Sequence, residues 1–447
     1  MIYSNAARLR TRIGTVATLA ILCASSGFVA AQQPRSPSAF ELQNLTSEEL
    51  ESSARNGTPF VLQLGGRTLA LALHAVDLRS PRFSISAGPL GHSEAMHLRN
   101  SKTYSGTVIG EAESQVRLSA CRGGVRGYVR DSQGWTFVTP TTADAHATGG
   151  EHQVYADTAL DSRFHGECEA LLSVEALDGS AAAQSAPAVE GDSAPPIAAG
   201  TLLRVLEIAV DADQEFYARY GAGSVAEIEA TLNEVDGIMR AELGVTLSIV
   251  SIHTWVSEPD PYTATAASTL LQELRTAWTM SFPEVDRDVV HLFTGKDLDG
   301  STVGIAYTSV ICVTSFAYGL SQDLVSSAYM PLLTAHELGH NLGAGHDTSG
   351  TSPQYVMYPS LSSQVLDEYS DGSTTQILAY LDTVSCLEQI EESPPPGSGG
   401  GSPPPGPSPG VPASGGGGGG PLDPITLAIL LFVFGAALKR ASQRVGV

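Results

Sequence analysis

His336-Glu337-Leu338-Gly339-His340-Asn341-Leu342-Gly343-Ala344-Gly345-His346-Asp347 is the stretch that decides the fold and chemistry of this 447-residue chain. Residues i and i+4 share one face of a helix, so His336 and His340 present two imidazoles to one ion. Glu337 sits one position on. Its carboxylate is placed to reach a metal-held water and take its proton rather than to act as a ligand. Gly343 can adopt positive φ and end the helix in a sharp turn, which returns His346 as a third ligand. Three protein nitrogens leave one position of a tetrahedral Zn²⁺ open, the mark of a catalytic rather than a structural site. Met357, eleven residues after His346, can form a soft apolar floor beneath the metal.

Outward from this stretch the chain alternates strand and helix. Residues 202–210 read as a buried strand. Ser224 and Glu227 read as a capping box, opening a helix with Val225, Ile228, Leu232, Val235 and Ile238 at helical spacing. Strands are predicted at 245–252, 289–293 and 303–307, and helices at 267–280 and 373–384. This pattern predicts an α/β domain, a twisted mixed sheet with helices, over residues 198–389. Residues 32–197 differ. Short apolar runs at 60–64, 69–73, 114–118 and 127–129 alternate with turn signals and predict a small β-rich domain. An Ala/Ser/Pro/Gly stretch at 179–200 reads as a linker or cleavage zone.

The ends read as addresses. Residues 1–31 carry Arg8, Arg10 and Arg12, then an apolar run closing in small residues, a secretory signal peptide. Residues 390–421 form a Pro/Gly/Ser linker. Residues 422–447 hold a short apolar run followed by Lys439, Arg440 and Arg444. They predict a membrane anchor or a sorting signal with its C-terminus initially cytoplasmic. The body is therefore expected outside the cell, secreted or surface-anchored. The net charge of −23 argues against nucleic-acid partners. Residues 198–389 alone carry 25 acidic and six basic groups. After signal removal Cys121, Cys168, Cys312 and Cys386 remain, and an even count in an exported chain suggests two disulfides with three pairings open.

The string HExxHxxGxxH with a following Met resembles the metzincin metalloproteases, and Asp347 directly after the third His resembles the adamalysin/reprolysin type within them. The resemblance implies a zinc endopeptidase acting on proteins or peptides, made as a zymogen with residues 32–197 as an inhibitory propeptide. It implies a structural role for Asp347, a long disulfide from Cys312 to Cys386, and an edge strand near 304–307 that pairs with extended substrate. Glu207, Asp288 and the Cys386 carbonyl with Gln389 fall where some reprolysins bind Ca²⁺. For Cys168 two roles stay open: a disulfide with Cys121, which is favoured, or a thiolate that plugs the zinc. A catalytically inactive surface binding protein on the same fold is the alternative function.

Overall fold

The computed structural model describes residues 33–88, 94–95, 101–121, 123–141, 148–171, 202–324, 326, 328–348, 354–363 and 368–391. The predicted signal peptide, linker and C-terminal apolar segment lie outside the described residues. Among the described residues no helix is long and apolar enough to cross a membrane.

Alternating apolar runs in the N-terminal part become strands. They are β1 (Glu41–Thr46), β2 (Phe60–Leu64), β3 (Arg67–Val76), β4 (Arg79–Ala87), β5 (Glu94–Ala95), β6 (Thr103–Val108), β7 (Glu111–Cys121), β8 (Gly124–Asp131), β9 (Gly134–Pro140), β10 (Gly149–Ala156) and β11 (His165–Leu171), with one helix, α1 (Ser47–Asn56). Eight of these strands form an antiparallel sheet in the order β1-β10-β9-β8-β7-β6-β3-β2. In β3 every second residue, Leu69, Leu71 and Leu73, points into a core shared with Leu62, Leu118 and Val129. Helix α1 covers that core with Leu50 and is opened by a true capping box between Thr46 and Glu49.

The C-terminal part comprises β12 (Leu202–Ala212), α2 (Gln214–Tyr220), α3 (Ser224–Leu243), β13 (Val245–Thr254), α4 (Ala267–Ser281), β14 (Val289–Thr294), β15 (Thr302–Tyr307), β16 (Tyr318–Gln322), α5 (Tyr329–Asn341), β17 (Ser360–Ser362), α6 (Asp371–Leu381) and β18 (Glu388–Glu391). Its sheet runs β15-β16-β14-β12-β13, parallel except for β15 against β16. Strands β13 to β16 are buried on both faces, and β14 and β15 accordingly read as nearly continuous apolar runs, whereas β16, Tyr-Gly-Leu-Ser-Gln, carries no such run and is not among the predicted strands.

Both edges of this sheet are closed by strands of the N-terminal part. At one edge β4 runs parallel to β13. At the other β11 runs parallel to β15 and antiparallel to β17. The edge strand expected to face substrate is therefore paired in the intact chain.

The capping box expected at Ser224 and Glu227 is not formed. A turn of 3-10 helix precedes α3, and Gly223 already has helical dihedrals, so no extended N-cap residue exists. Ser224 Oγ donates to the Gly221 carbonyl at 2.7 Å, and Glu227 pairs with Arg126 of the N-terminal part. Helix α3 is in fact covered on two sides. Its apolar residues Ile228, Leu232, Val235 and Met239 join the core of the C-terminal part. Its polar residues meet the N-terminal part: Asp236 pairs with Arg117 at 3.0 Å and Glu234 with Arg126 at 3.1 Å on the first sheet, and Glu229 with Arg79 at the start of β4 at 2.5 Å. Asn233 Nδ2 donates to the Leu118 and Tyr104 carbonyls at 3.2 and 3.3 Å. Buried charge is tolerated here because each carboxylate has a guanidinium.

Candidate metal centre

All thirteen residues of α5 are buried, and Pro331 sits in its first turn, where a missing N–H costs nothing. The helix places His336 and His340 on one face. After it, Gly343 at φ +109° reverses the chain. A Cβ at Gly343 would also meet the Tyr380 side chain at 2.8 Å, so two independent constraints require glycine. The reversal brings His346 Nε2 to 3.1 Å from His340 Nε2 and 3.2 Å from His336 Nε2. Three nitrogens at ~2.05 Å from a tetrahedral ion stand ~3.3 Å apart, so the triangle has the size zinc requires. The other ring nitrogens are committed. His336 Nδ1 donates to the Val356 carbonyl at 2.6 Å and His340 Nδ1 to Ala344 at 2.8 Å, which leaves each Nε2 lone pair facing the common point. Burial lowers both imidazoles, His340 to about 3, so the rings stay neutral as ligands must be. Gly343→Ala is expected to misplace His346. Zinc affinity should fall at least tenfold in a chelator competition titration while His336 and His340 are untouched.

Glu337 is fully buried, with the Cys168 thiol beside its carboxylate. Burial pushes its carboxyl well above the usual range. It lies against β15 at Gly304, where a Cβ would overlap Oε1. Ligand atoms of Glu337, His336 and Cys168 lie within 4.8 Å of one another.

The favoured Cys121–Cys168 disulfide is corrected by this placement. The two residues are not joined. Cys121 ends β7 in the first sheet, beside Arg126 and Glu227, whereas Cys168 lies on β11 in the second sheet at the metal centre. Burial pushes the Cys168 thiol up, with Glu337 adding to the effect.

The remaining residues support the site from below. Met357 is fully buried, with its sulfur against Gly339 of α5, 2.5 Å from where a Cβ would stand. Asp347 Oδ1 accepts from Ser370 Oγ at 2.6 Å and Ser373 Oγ at 2.8 Å, and its N–H donates to the Met357 carbonyl. Since Ser370 caps α6, Asp347 ties the third ligand to that helix. A disulfide joins Cys312 and Cys386 across 74 positions. Asp288 Oδ2 accepts from the Glu207 N–H, and Gln389 pairs through its backbone with Arg204. The Glu207 carboxylate is engaged by Arg82, so a guanidinium already meets one of the three predicted calcium residues.

Sequence reasoning missed Asn341. Its Nδ2 donates to the Tyr307 carbonyl at 2.8 Å and the Tyr318 carbonyl at 3.0 Å, pinning the metal helix to β15 and β16. Its signal was a polar side chain on a helix too apolar to have a solvent face.

Fold and ligand set together define a zinc metallopeptidase of the metzincin class. The Reprolysin_5 model of metallo-peptidase family M12 matches residues 203–376. Snake venom metalloproteinase trimerelysin-2 of Protobothrops flavoviridis is 31% identical over 150 residues, 32% of this chain and 74% of that protein. Snake venom metalloproteinase acutolysin-C of Deinagkistrodon acutus is 26% identical over 290 residues, 62% of this chain and 66% of that protein. Metalloproteinase-II from Bacteroides fragilis aligns over 75% of this chain and 96% of that one, at 15% identity and a TM-score of 0.41. The chain belongs to metallo-peptidase family M12, within its adamalysin/reprolysin type.

Proposed function

We propose that the chain is the exported zymogen of a zinc endopeptidase, with Glu337 as general base and residues 32–197 as its intramolecular inhibitor. The observation that carries this reading is one arrangement: three converging Nε2 atoms beside a buried carboxylate, with Cys168 of β11 against His336 and that carboxylate. Bound zinc supplies an electrophilic centre that polarises a carbonyl and activates water near neutral pH. The chain's own residues do the rest. A peptide extended along β15 takes the ladder positions that β11 holds in the intact chain. Glu337 accepts the proton of the attacking water and passes it to the leaving amine. Its raised affinity for a proton suits that return step.

Latency follows from occupancy. While β11 fills the space between β15 and β17, no substrate strand pairs there, and the Cys168 sulfur stands beside His336 and Glu337. Export through residues 1–31 and anchoring through 422–447 complete the proposal on sequence grounds.

The test compares the intact chain with a chain cut within residues 179–200 and freed of its N-terminal part. The cut chain is expected to hydrolyse casein, to stop with 1,10-phenanthroline and to recover on added Zn²⁺. The intact chain is expected to be silent, and its Cys168→Ser variant to leak measurably. Zinc binding without hydrolysis in any form would favour the inactive binding protein instead.

A further inference from the structure

We propose that the cleft carries a subsite for an aromatic side chain at the start of α5, built on Tyr329 and held in the intact chain by Phe164. The proposal rests on the peptidase reading above. Strand β11 and its approach show one face to the catalytic part: Phe164, Gly166 and Cys168 are buried, while the alternating His165, Glu167 and Glu169 are exposed. On that face Cys168 meets the metal centre. Gly166 runs so close to Val303 that a Cβ would stand 2.8 Å from both methyl groups. Phe164 packs on Tyr329 with ring centroids 4.7 Å apart and planes tilted 44°. The rings are 3% and 1% exposed.

Two contacts on Tyr329, the Phe164 ring and the Asp161 carbonyl that accepts from its hydroxyl at 3.4 Å, come from the N-terminal part. The adjoining Ala328 is packed among Tyr128, Phe137 and Tyr155 of that same part. Departure of the N-terminal part therefore uncovers an apolar step with one hydroxyl, a surface that suits an aromatic side chain.

Two rulers place this step relative to the chemistry. Tyr329 precedes His336 by seven helical residues, ~10 Å along the axis. Phe164 precedes Cys168 by four residues, ~13 Å along an extended strand. Both put the subsite three or four substrate residues from the metal. It lies toward the N-terminal end of β15, because Glu167 pairs with Thr302 and Cys168 with Gly304. A substrate in the more stable antiparallel pairing brings its C-terminal side to that end. The subsite thus reads the third or fourth residue after the scissile bond.

The test uses the full chain, cut within residues 179–200, and a peptide series of one sequence. All positions after the scissile residues are Ala in the reference, and a single Phe is moved through the first four positions in the others. Phe at the third or fourth position is expected to raise kcat/KM about tenfold over the reference. Tyr329→Ala should bring that ratio to about one, and Tyr329→Phe, which keeps the ring, should preserve it. A flat series on a reference peptide that is cleaved overturns the subsite, as does a ratio that survives Tyr329→Ala. A reference peptide cut by no form of the chain overturns the peptidase reading instead.

Discussion

Glu337→Gln is expected to lower peptide turnover about a thousandfold while zinc stays bound. Gln keeps the volume and the hydrogen-bonding outline of Glu, so the contact with Gly304 and the position of α5 are retained. It removes the one group at the site able to accept and return a proton, an effect of about 10²–10⁴ in rate. The zinc ligands keep their carbonyl partners at Val356 and Ala344, which do not involve Glu337. The variant should also be no less stable than the parent. A carboxyl whose folded pKa is raised costs stability wherever it is ionised, and the amide is neutral at every pH. Metal analysis and turnover on one preparation decide the matter: equal turnover, or zinc lost together with activity, removes Glu337 from the role of base.

The second large effect is on stability. Arg126 of β8 is 4% exposed and pairs with Glu227 and Glu234 of α3. Arg126→Ala in the intact chain leaves a buried carboxylate without its cation, a loss of about 3–5 kcal/mol. Arg82→Ala, at a half-exposed guanidinium whose partner Asp286 is exposed, should cost under ~1 kcal/mol. The pH dependence separates the two further. Burial pushes Glu234 to about 8 from an ordinary 4.5, against the pull of Arg126. A group raised in the folded state contributes stability when protonated and loses it as pH rises through its folded value. The Arg126→Ala deficit should therefore stay level from pH 4.5 to about 8, where Glu234 is protonated in both folded forms, and grow above pH 8, as read from urea midpoints. A deficit that shrinks between pH 4.5 and 8 would mean that Glu234 reaches water once the arginine is gone.

What the sequence made legible was local. The i, i+4 spacing of His336 and His340 and the break at Gly343 depend only on helix geometry, and the strand–helix alternation after residue 202 depends only on apolar periodicity. What escaped it was pairing between distant segments. Nothing in His165-Gly-Glu-Cys-Glu-Ala-Leu171 marks a strand that completes another domain's sheet, because its partners β15 and β17 lie more than a hundred residues away. The cysteine count misled for the same reason: parity says how many bridges are possible, while topology sets Cys121 and Cys168 in different sheets. The Ser224–Glu227 pattern misled because Ser-x-x-Glu fits inside a helix as well as at its start, and here Glu227 serves Arg126. The acid count of residues 198–389 says nothing of where each group sits, and Glu229, Glu234 and Asp236 are interior. Asn341 carried a polar signal inside an apolar helix, but its partners are backbone carbonyls that no sequence displays.

The closure of both sheet edges by earlier strands bears on the order in which the chain is made. The first sheet has a hydrophobic core of its own and leaves the ribosome before residue 202 is added. When α3 emerges, Arg79, Arg117 and Arg126 are already arrayed to receive its acids, and β4 already offers β13 a template. Synthesised without its predecessor, the segment 202–391 would present two raw edges and an acidic seam to its neighbours, the conditions for edge-to-edge association. The N-terminal part is thus a template as well as a cover, in place before the segment whose edges it closes.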